Sequence, residues 1–207
     1  SAGAWRVSRF VFYGGKAIGD GVIAFRDASS VFAIGAFSEA TNPIIDNCFI
    51  YGAGVGGSRQ GEYGSSAVMA RGGARFVNCT IAGSSTSSGA AKLYDESSRF
   101  ENCAVYDNDG MDVVNSHFGG FNCCATATAF SGGKNCKVFA EPKFKDAAAG
   151  NYRLLPGSPL IGAGDFDVYS ISAESETDLA GNKRFRKDAI SIGCYEYASL
   201  GFAIRFQ

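Results

Sequence analysis

Phe76-Val77-Asn78-Cys79-Thr80-Ile81-Ala82-Gly83 and Phe100-Glu101-Asn102-Cys103-Ala104-Val105-Tyr106-Asp107 are two versions of one frame. Ile45-Asp46-Asn47-Cys48-Phe49-Ile50-Tyr51-Gly52 is a third, and Val7-Ser8-Arg9-Phe10-Val11-Phe12-Tyr13-Gly14 a degenerate fourth. The Asn-Cys pair recurs at Asn122-Cys123 and Asn135-Cys136. In the four frames the residue three before the cysteine position and the residue two after it are apolar. An unbroken strand alternates faces with period two, so the positions two before and two after would share a face instead. The asparagine therefore breaks the parity and belongs in a bend, where it is the non-glycine residue most tolerant of left-handed backbone angles. Asn47, Asn78 and Asn102 read as corners between short strands. Cys48, Cys79 and Cys103 read as residues packed inward.

The step from Asn47 to Asn78 is 31 residues and that from Asn78 to Asn102 is 24, within the range of stacked repeat architectures. Glycine punctuation supports many short strands and no long helix, since the chain has 28 glycines and 4 prolines in 207 residues without a collagen period. The fold class expected is all-β, a parallel β-helix or solenoid with an irregular C-terminal cap. Residues 1–138 are assigned to coils, 139–198 to the cap and 199–207 to a terminal strand or tail. The Arg9–Asn47 stretch fits one coil with an insertion or an extra coil lacking its Asn-Cys step.

Charge and hydropathy narrow the function classes. With 19 basic and 20 acidic residues and no basic block, the chain offers nucleic acid no electrostatic footprint. No apolar run is long enough to span a bilayer and no signal peptide is recognisable. The chain begins Ser-Ala-Gly-Ala without methionine, which suggests a processed or truncated product. Trp5-Arg6-Val7 starts directly in a strand, so the first coil is expected to be covered by missing upstream coils or by another chain.

Seven cysteines leave at least one thiol free. Stacked coils are about 4.8 Å apart, whereas a disulfide brings Cβ atoms to about 3.8 Å. Cys48, Cys79 and Cys103 are therefore expected to form a buried column of reduced thiols. Cys123, Cys124 and Cys136, in a looser glycine-rich stretch, are the disulfide candidates.

From Phe139 onward the text changes: Phe139-Ala140-Glu141-Pro142-Lys143-Phe144, then Asn151-Tyr152-Arg153-Leu154-Leu155-Pro156-Gly157-Ser158-Pro159-Leu160-Ile161-Gly162-Ala163-Gly164-Asp165. Thr177-Asp178-Leu179-Ala180-Gly181-Asn182-Lys183-Arg184 and Ile192-Gly193-Cys194-Tyr195-Glu196-Tyr197 follow. In this order these segments resemble the C-terminal portion of bacterial secreted right-handed parallel β-helix proteins of the choice-of-anchor Q type. Glu141, Gly162, Ser191 and Cys194 depart from that pattern, standing where it has aspartate, aspartate, aspartate and alanine. The resemblance implies a right-handed β-helix at an extracellular or bacterial cell-surface location. It implies no particular reaction, because fold alone does not give function.

Five constellations carry candidate chemistry. Tyr13, Tyr51 and Tyr106, with Ala82 between the last two, stand three residues after the cysteine position and face outward by parity, a platform on which sugar rings could stack. Asp107, Asp109 and Asp112 around Gly110 supply hard oxygen ligands, so Ca2+ is the one cofactor suggested, against the alternative of a solvated turn. His117 with Cys123, Cys124 and Cys136 has zinc-type ligands in an unfamiliar spacing. Asp46 and Glu101 would lie about two rungs, ~10 Å, apart, too loosely placed for a glycosidase pair. Asp165, Asp178, Asn182, Arg184 and Glu196 are assigned to a structural cap over the last coil, with Arg184 buried and paired.

The leading expectation is a non-catalytic exported or cell-surface protein, adhesive or glycan-associated, with an extracellular glycan or surface protein as partner. A polysaccharide lyase or glycoside hydrolase of the β-helix class is the alternative. A structural or oligomerising scaffold module is the third.

Overall fold

The computed structural model describes residues 6–13, 23–24, 32–34, 43–52, 66–70, 72–85, 89–114, 119–170, 177–184 and 189–198. They are mostly parallel β-sheet, with one five-residue helix, α1 (Phe166–Ser170), and one 3-10 turn at Ala147–Ala149. Strands are numbered in chain order. The first sheet runs β1 (Arg6–Ser8), β5 (Ile44–Asp46), β8 (Arg75–Val77), β11 (Arg99–Glu101), β13 (Phe121–Asn122), β15 (Gly133–Lys134). The second runs β2 (Val11–Tyr13), β6 (Phe49–Tyr51), β9 (Thr80–Ala82), β12 (Ala104–Tyr106), β14 (Ala125–Thr126), β16 (Lys137–Val138). The third contains β10 (Ala91–Leu93), β7 (Val68–Ala70), β4 (Phe32–Ile34) and β3 (Ile23–Ala24). Every neighbouring pair in these sheets is parallel except β3 with β4.

Each pass of the chain thus places a strand in the first sheet and, after a corner, a strand in the second; the third sheet lies on the return path. β1 pairs directly with β5 and β2 with β6, and among the described residues between Arg9 and Asn47 β4 joins the parallel ladder of the third sheet while β3 folds back on it. That stretch is therefore one pass with an inserted strand.

The corner is the unit that repeats. Arg9, Asn47, Asn78, Asn102, Cys123 and Asn135 have φ of 59°, 53°, 51°, 52°, 49° and 54°. A left-handed angle costs an ordinary L-residue roughly 1–2 kcal/mol, and asparagine is the usual non-glycine occupant. The corner does not interrupt the ladder. The amide of Asn47 donates to the carbonyl of Val77, Asn78 to Glu101 and Asn102 to Asn122, at 2.9–3.0 Å. The carbonyls of Cys48 and Cys79 then accept from Thr80 and Ala104, one pass on.

Registering the corners stacks like residues. Phe76, Phe100 and Phe121 form a ladder with ring centroids 5.0 Å apart at each step. The edge of Phe130 closes it at 5.3 Å from Phe121. Ile50, Ile81 and Val105, two after each cysteine, join the same core with the third-sheet residues Val68, Ala91 and Leu93. The thiol column is longer than the three cysteines expected. Phe121 stands three before Cys124, as Phe100 stands before Cys103, so Cys124 is the inward residue and Cys123 takes the corner. Cys136 follows on the next pass. All seven cysteines are free thiols, so the expected disulfides among Cys123, Cys124 and Cys136 are absent. The geometric reason is that Cys124 and Cys136 belong to the stacked column while Cys123 points away from it.

The three central corners differ in what their side chains do. The Asn102 amide pairs with the backbone of Asp165 in both directions, donating to its carbonyl and accepting from its N–H at 2.8 Å each. Asn47 accepts from Arg184. Asn78 is buried with neither side-chain atom hydrogen-bonded. Glycine adopts the corner angle without strain, so the two substitutions Asn78→Gly and Asn102→Gly separate backbone from side chain. Urea unfolding is expected to show Asn78→Gly neutral or stabilising, since it removes an unsatisfied buried amide, and Asn102→Gly destabilising by about 1–3 kcal/mol.

Candidate functional site

The outward face of the second sheet is where the sequence places its binding residues, and it is covered. Residues one and three after each cysteine point away from the inner core, as parity requires. They meet the C-terminal segment there. Tyr106 is 1% exposed and packs edge-on against Phe144, centroids 5.4 Å apart. Phe144 lies in β17 (Phe144–Asp146), which pairs with β18 (Asn151–Leu154) in an antiparallel hairpin. From β18, Tyr152 sits 5.3 Å from Phe49 and 6.1 Å from Tyr51. Leu160 and Ile192 join Ala104, Tyr106 and Ala125 in one buried cluster, and Cys194 joins Phe49 and Ala82 in another.

The proposed sugar platform is therefore corrected. Tyr51 and Tyr106 face outward but carry the hairpin, so no open aromatic column exists between them; the side chain of Tyr13 lies outside the described residues. The hydroxyl of Tyr106 is buried without a hydrogen-bond partner, and burial raises its pKa. Ala82, between the tyrosines, is buried with Phe49, Tyr152 and Cys194. A Cβ on the following residue, Gly83, would come within 2.3 Å of the Tyr51 ring, which leans over that position.

The C-terminal segment is also placed differently from the expected cap. It runs along the flank, over the corners of several passes, rather than across the last one. Arg184 is its anchor. Fully buried, its guanidinium donates from Nε to Asn47 Oδ1 at 2.7 Å, from Nη1 to Glu196 Oε1 at 2.9 Å and from Nη2 to the Gly193 carbonyl at 2.8 Å. Glu196 also accepts from the Ser191 amide and hydroxyl, and its own amide donates to Asp178 Oδ2. Asp178 Oδ1 accepts from the amides of Ala180 and Asn182, folding the Asp178–Asn182 turn around the carboxylate. Each strong acceptor is matched to a donor, which is what makes burial of these charges tolerable.

Two further clips hold the segment down. Gly193, at φ 96°, donates to the Asn102 carbonyl, and a Cβ there would meet Thr80 Oγ1 at 2.8 Å. Cys194 donates its amide to Thr80 Oγ1 at 3.0 Å, and burial pushes its thiol up to about 12. Thr80 gave no sign of this role in the sequence, because its frame position holds Phe49 and Ala104 in the neighbouring passes. Arg9 reaches Thr177 in the same manner on the first pass.

The remaining candidates do not converge. Asp107 and Asp109 are exposed while Asp112 is buried, accepting from Asn108 Nδ2 and the Ala127 amide, and burial raises its pKa. Among the described residues no three His, Cys, Asp or Glu side chains are grouped to hold a metal ion. His117 lies outside the described residues, and Cys123 turns toward Asp165, 3.9 Å from its Oδ2, away from Cys124 and Cys136. The zinc set is thereby divided. Asp46 is buried and accepts from Asn47 Nδ2, and Glu101 is held by Arg75 Nε at 2.9 Å. Both carboxylates are thus engaged in the framework.

The Arg184 hub makes a quantitative prediction. Arg184→Met strands Glu196 and Asn47 in a buried site and is expected to cost about 3–5 kcal/mol in chemical unfolding. Arg184→Lys is expected to recover little of it, because an ammonium cannot address three acceptors in the guanidinium plane. No family model, curated protein or solved structure matches the chain.

Proposed function

We propose that this chain forms successive coils of a right-handed parallel β-helix, strapped along one flank by its C-terminal segment, in an exported or cell-surface protein whose role is non-catalytic and structural. The observation that carries this reading is the row of left-handed corners on consecutive passes, each in register with the next. Parallel connections within one sheet are right-handed in nearly all proteins, in line with the resemblance of the C-terminal segments. Stacked short strands make a stiff rod, and such rods serve surface proteins as spacers and scaffolds.

The geometry favours the scaffold over the glycan binder and the enzyme. Tyr51 and Tyr106 are occupied by the hairpin, which removes the stacking platform on which glycan association rested. The enzyme reading needs carboxylates and a base poised around a groove, whereas Asp46, Glu101, Asp178 and Glu196 are each hydrogen-bonded into the framework. Free thiols do not argue against export, because the column geometry itself opposes disulfide formation. At the other end Phe10 and Val11 are 54% and 42% exposed on the outer edge of the first pass. We propose that edge as a contact for another chain.

Protease shaving of intact producing cells tests the location, and is expected to remove the protein while a cytosolic marker survives; recovery in the cytosol alone contradicts export. Incubation with neutral and acidic polysaccharides tests the role. No new reducing or unsaturated ends are expected, and product formation lost in Glu101→Gln would establish an enzyme instead.

A further inference from the structure

Cys48, Cys79, Cys103, Cys124 and Cys136 occupy one position on five consecutive passes. The thiols keep the same setting throughout. Cys79, Cys103 and Cys124 each lie 3.3–3.5 Å from two carbonyls, that of the residue two before in their own pass and that of an inward residue in the pass before. The strand ladder fixes the pitch of such a column at about 4.8 Å. That is far beyond an S–S bond of about 2.05 Å. It is close to twice the ~2.3 Å of a metal–thiolate bond in zinc sites. A two-coordinate ion between neighbouring sulfurs therefore fits the pitch without moving the backbone.

Only one step of the column is open to such an ion. Cys48, Cys79, Cys103 and Cys124 are fully buried. Cys136, on the last of these passes, is half-buried. Gly133, three residues before, packs against it: a Cβ there would stand 2.9 Å from Cys136 Sγ and 3.1 Å from Phe130 Cε2.

We propose that Cys124 and Cys136 form a two-coordinate site for a soft monovalent cation, Cu(I) or Ag(I), at the open end of the thiol column. Thiolate ligands select soft ions of this kind. Binding forms two metal–sulfur bonds and releases the two thiol protons to solvent, with no change of oxidation state. The two thiolates and the cation carry one net negative charge. Cys123 stands outside the site, and its thiol faces Asp165.

The test is an anaerobic titration of the full, reduced chain with Ag(I), followed by native mass spectrometry and X-ray absorption. One tightly held ion with two sulfur neighbours is expected. Cys123→Ser should leave it in place. Cys136→Ser and Cys124→Ser should each weaken it by about 100-fold or more, at least the scale of losing an outer-shell partner. A single sulfur neighbour, three or more sulfurs, or unchanged affinity in Cys136→Ser overturns the site. If Cys124→Ser does not fold, the sulfur count in the unsubstituted protein decides the matter.

Discussion

The left-handed corner is the constraint on which the rest of the structure depends. One residue per pass at φ near +50° turns the chain while its amide still donates to the next pass. Because the turn consumes a single residue, the phase between inward and outward positions is the same on each side of it every time. Phenylalanine therefore stacks on phenylalanine and thiol follows thiol. The stacked core follows from that phase: Ile45 and Phe76 are register partners on successive passes, both fully buried.

The same regularity creates a problem on the outside. The second sheet presents Phe49, Tyr51 and Tyr106 outward, an apolar face that a free-standing stack would leave in water. The C-terminal segment resolves it. Its hairpin brings Phe144 and Tyr152 onto the tyrosines, and its later part fastens to the corners through Arg184, Asp165 and Gly193. Corner side chains thus have a second use: having turned the chain, Asn47 and Asn102 offer their amides to the strap. Asn78 between them makes no such bond. On that middle pass the strap is held through Thr80 instead, whose hydroxyl oxygen accepts from the Cys194 amide.

Much of this was legible in the residues. Asparagine before a cysteine, with apolar residues three before and two after, identified the corners and the inward columns, because left-handed backbone and strand parity are local properties. Arg184 as a buried, paired anchor was legible from its place beside Asp178 and Asn182. The cover over Tyr106 was not, because parity says which way a side chain points and nothing about what waits there. The Arg184–Asn47 bond joins residues 137 apart in sequence, and the segment between them has no periodicity from which its path could be read. The inward place of Cys124 was missed for a simpler reason. The Asn-Cys pair was followed at Asn122-Cys123, although the phenylalanine three before, Phe121, points to Cys124.

The most direct test is native-state amide hydrogen exchange at the seam between strap and stack. The Gly193 amide is bonded to the Asn102 carbonyl and the Leu179 amide to the Cys194 carbonyl, while the Asn78 and Ala104 amides belong to the stacked ladder. If the strap is an integral part of the fold, all four exchange through one cooperative opening with matching free energies. Exchange at Gly193 and Leu179 faster than at Asn78 and Ala104 by orders of magnitude would contradict it, showing a segment that rests on the stack without holding it.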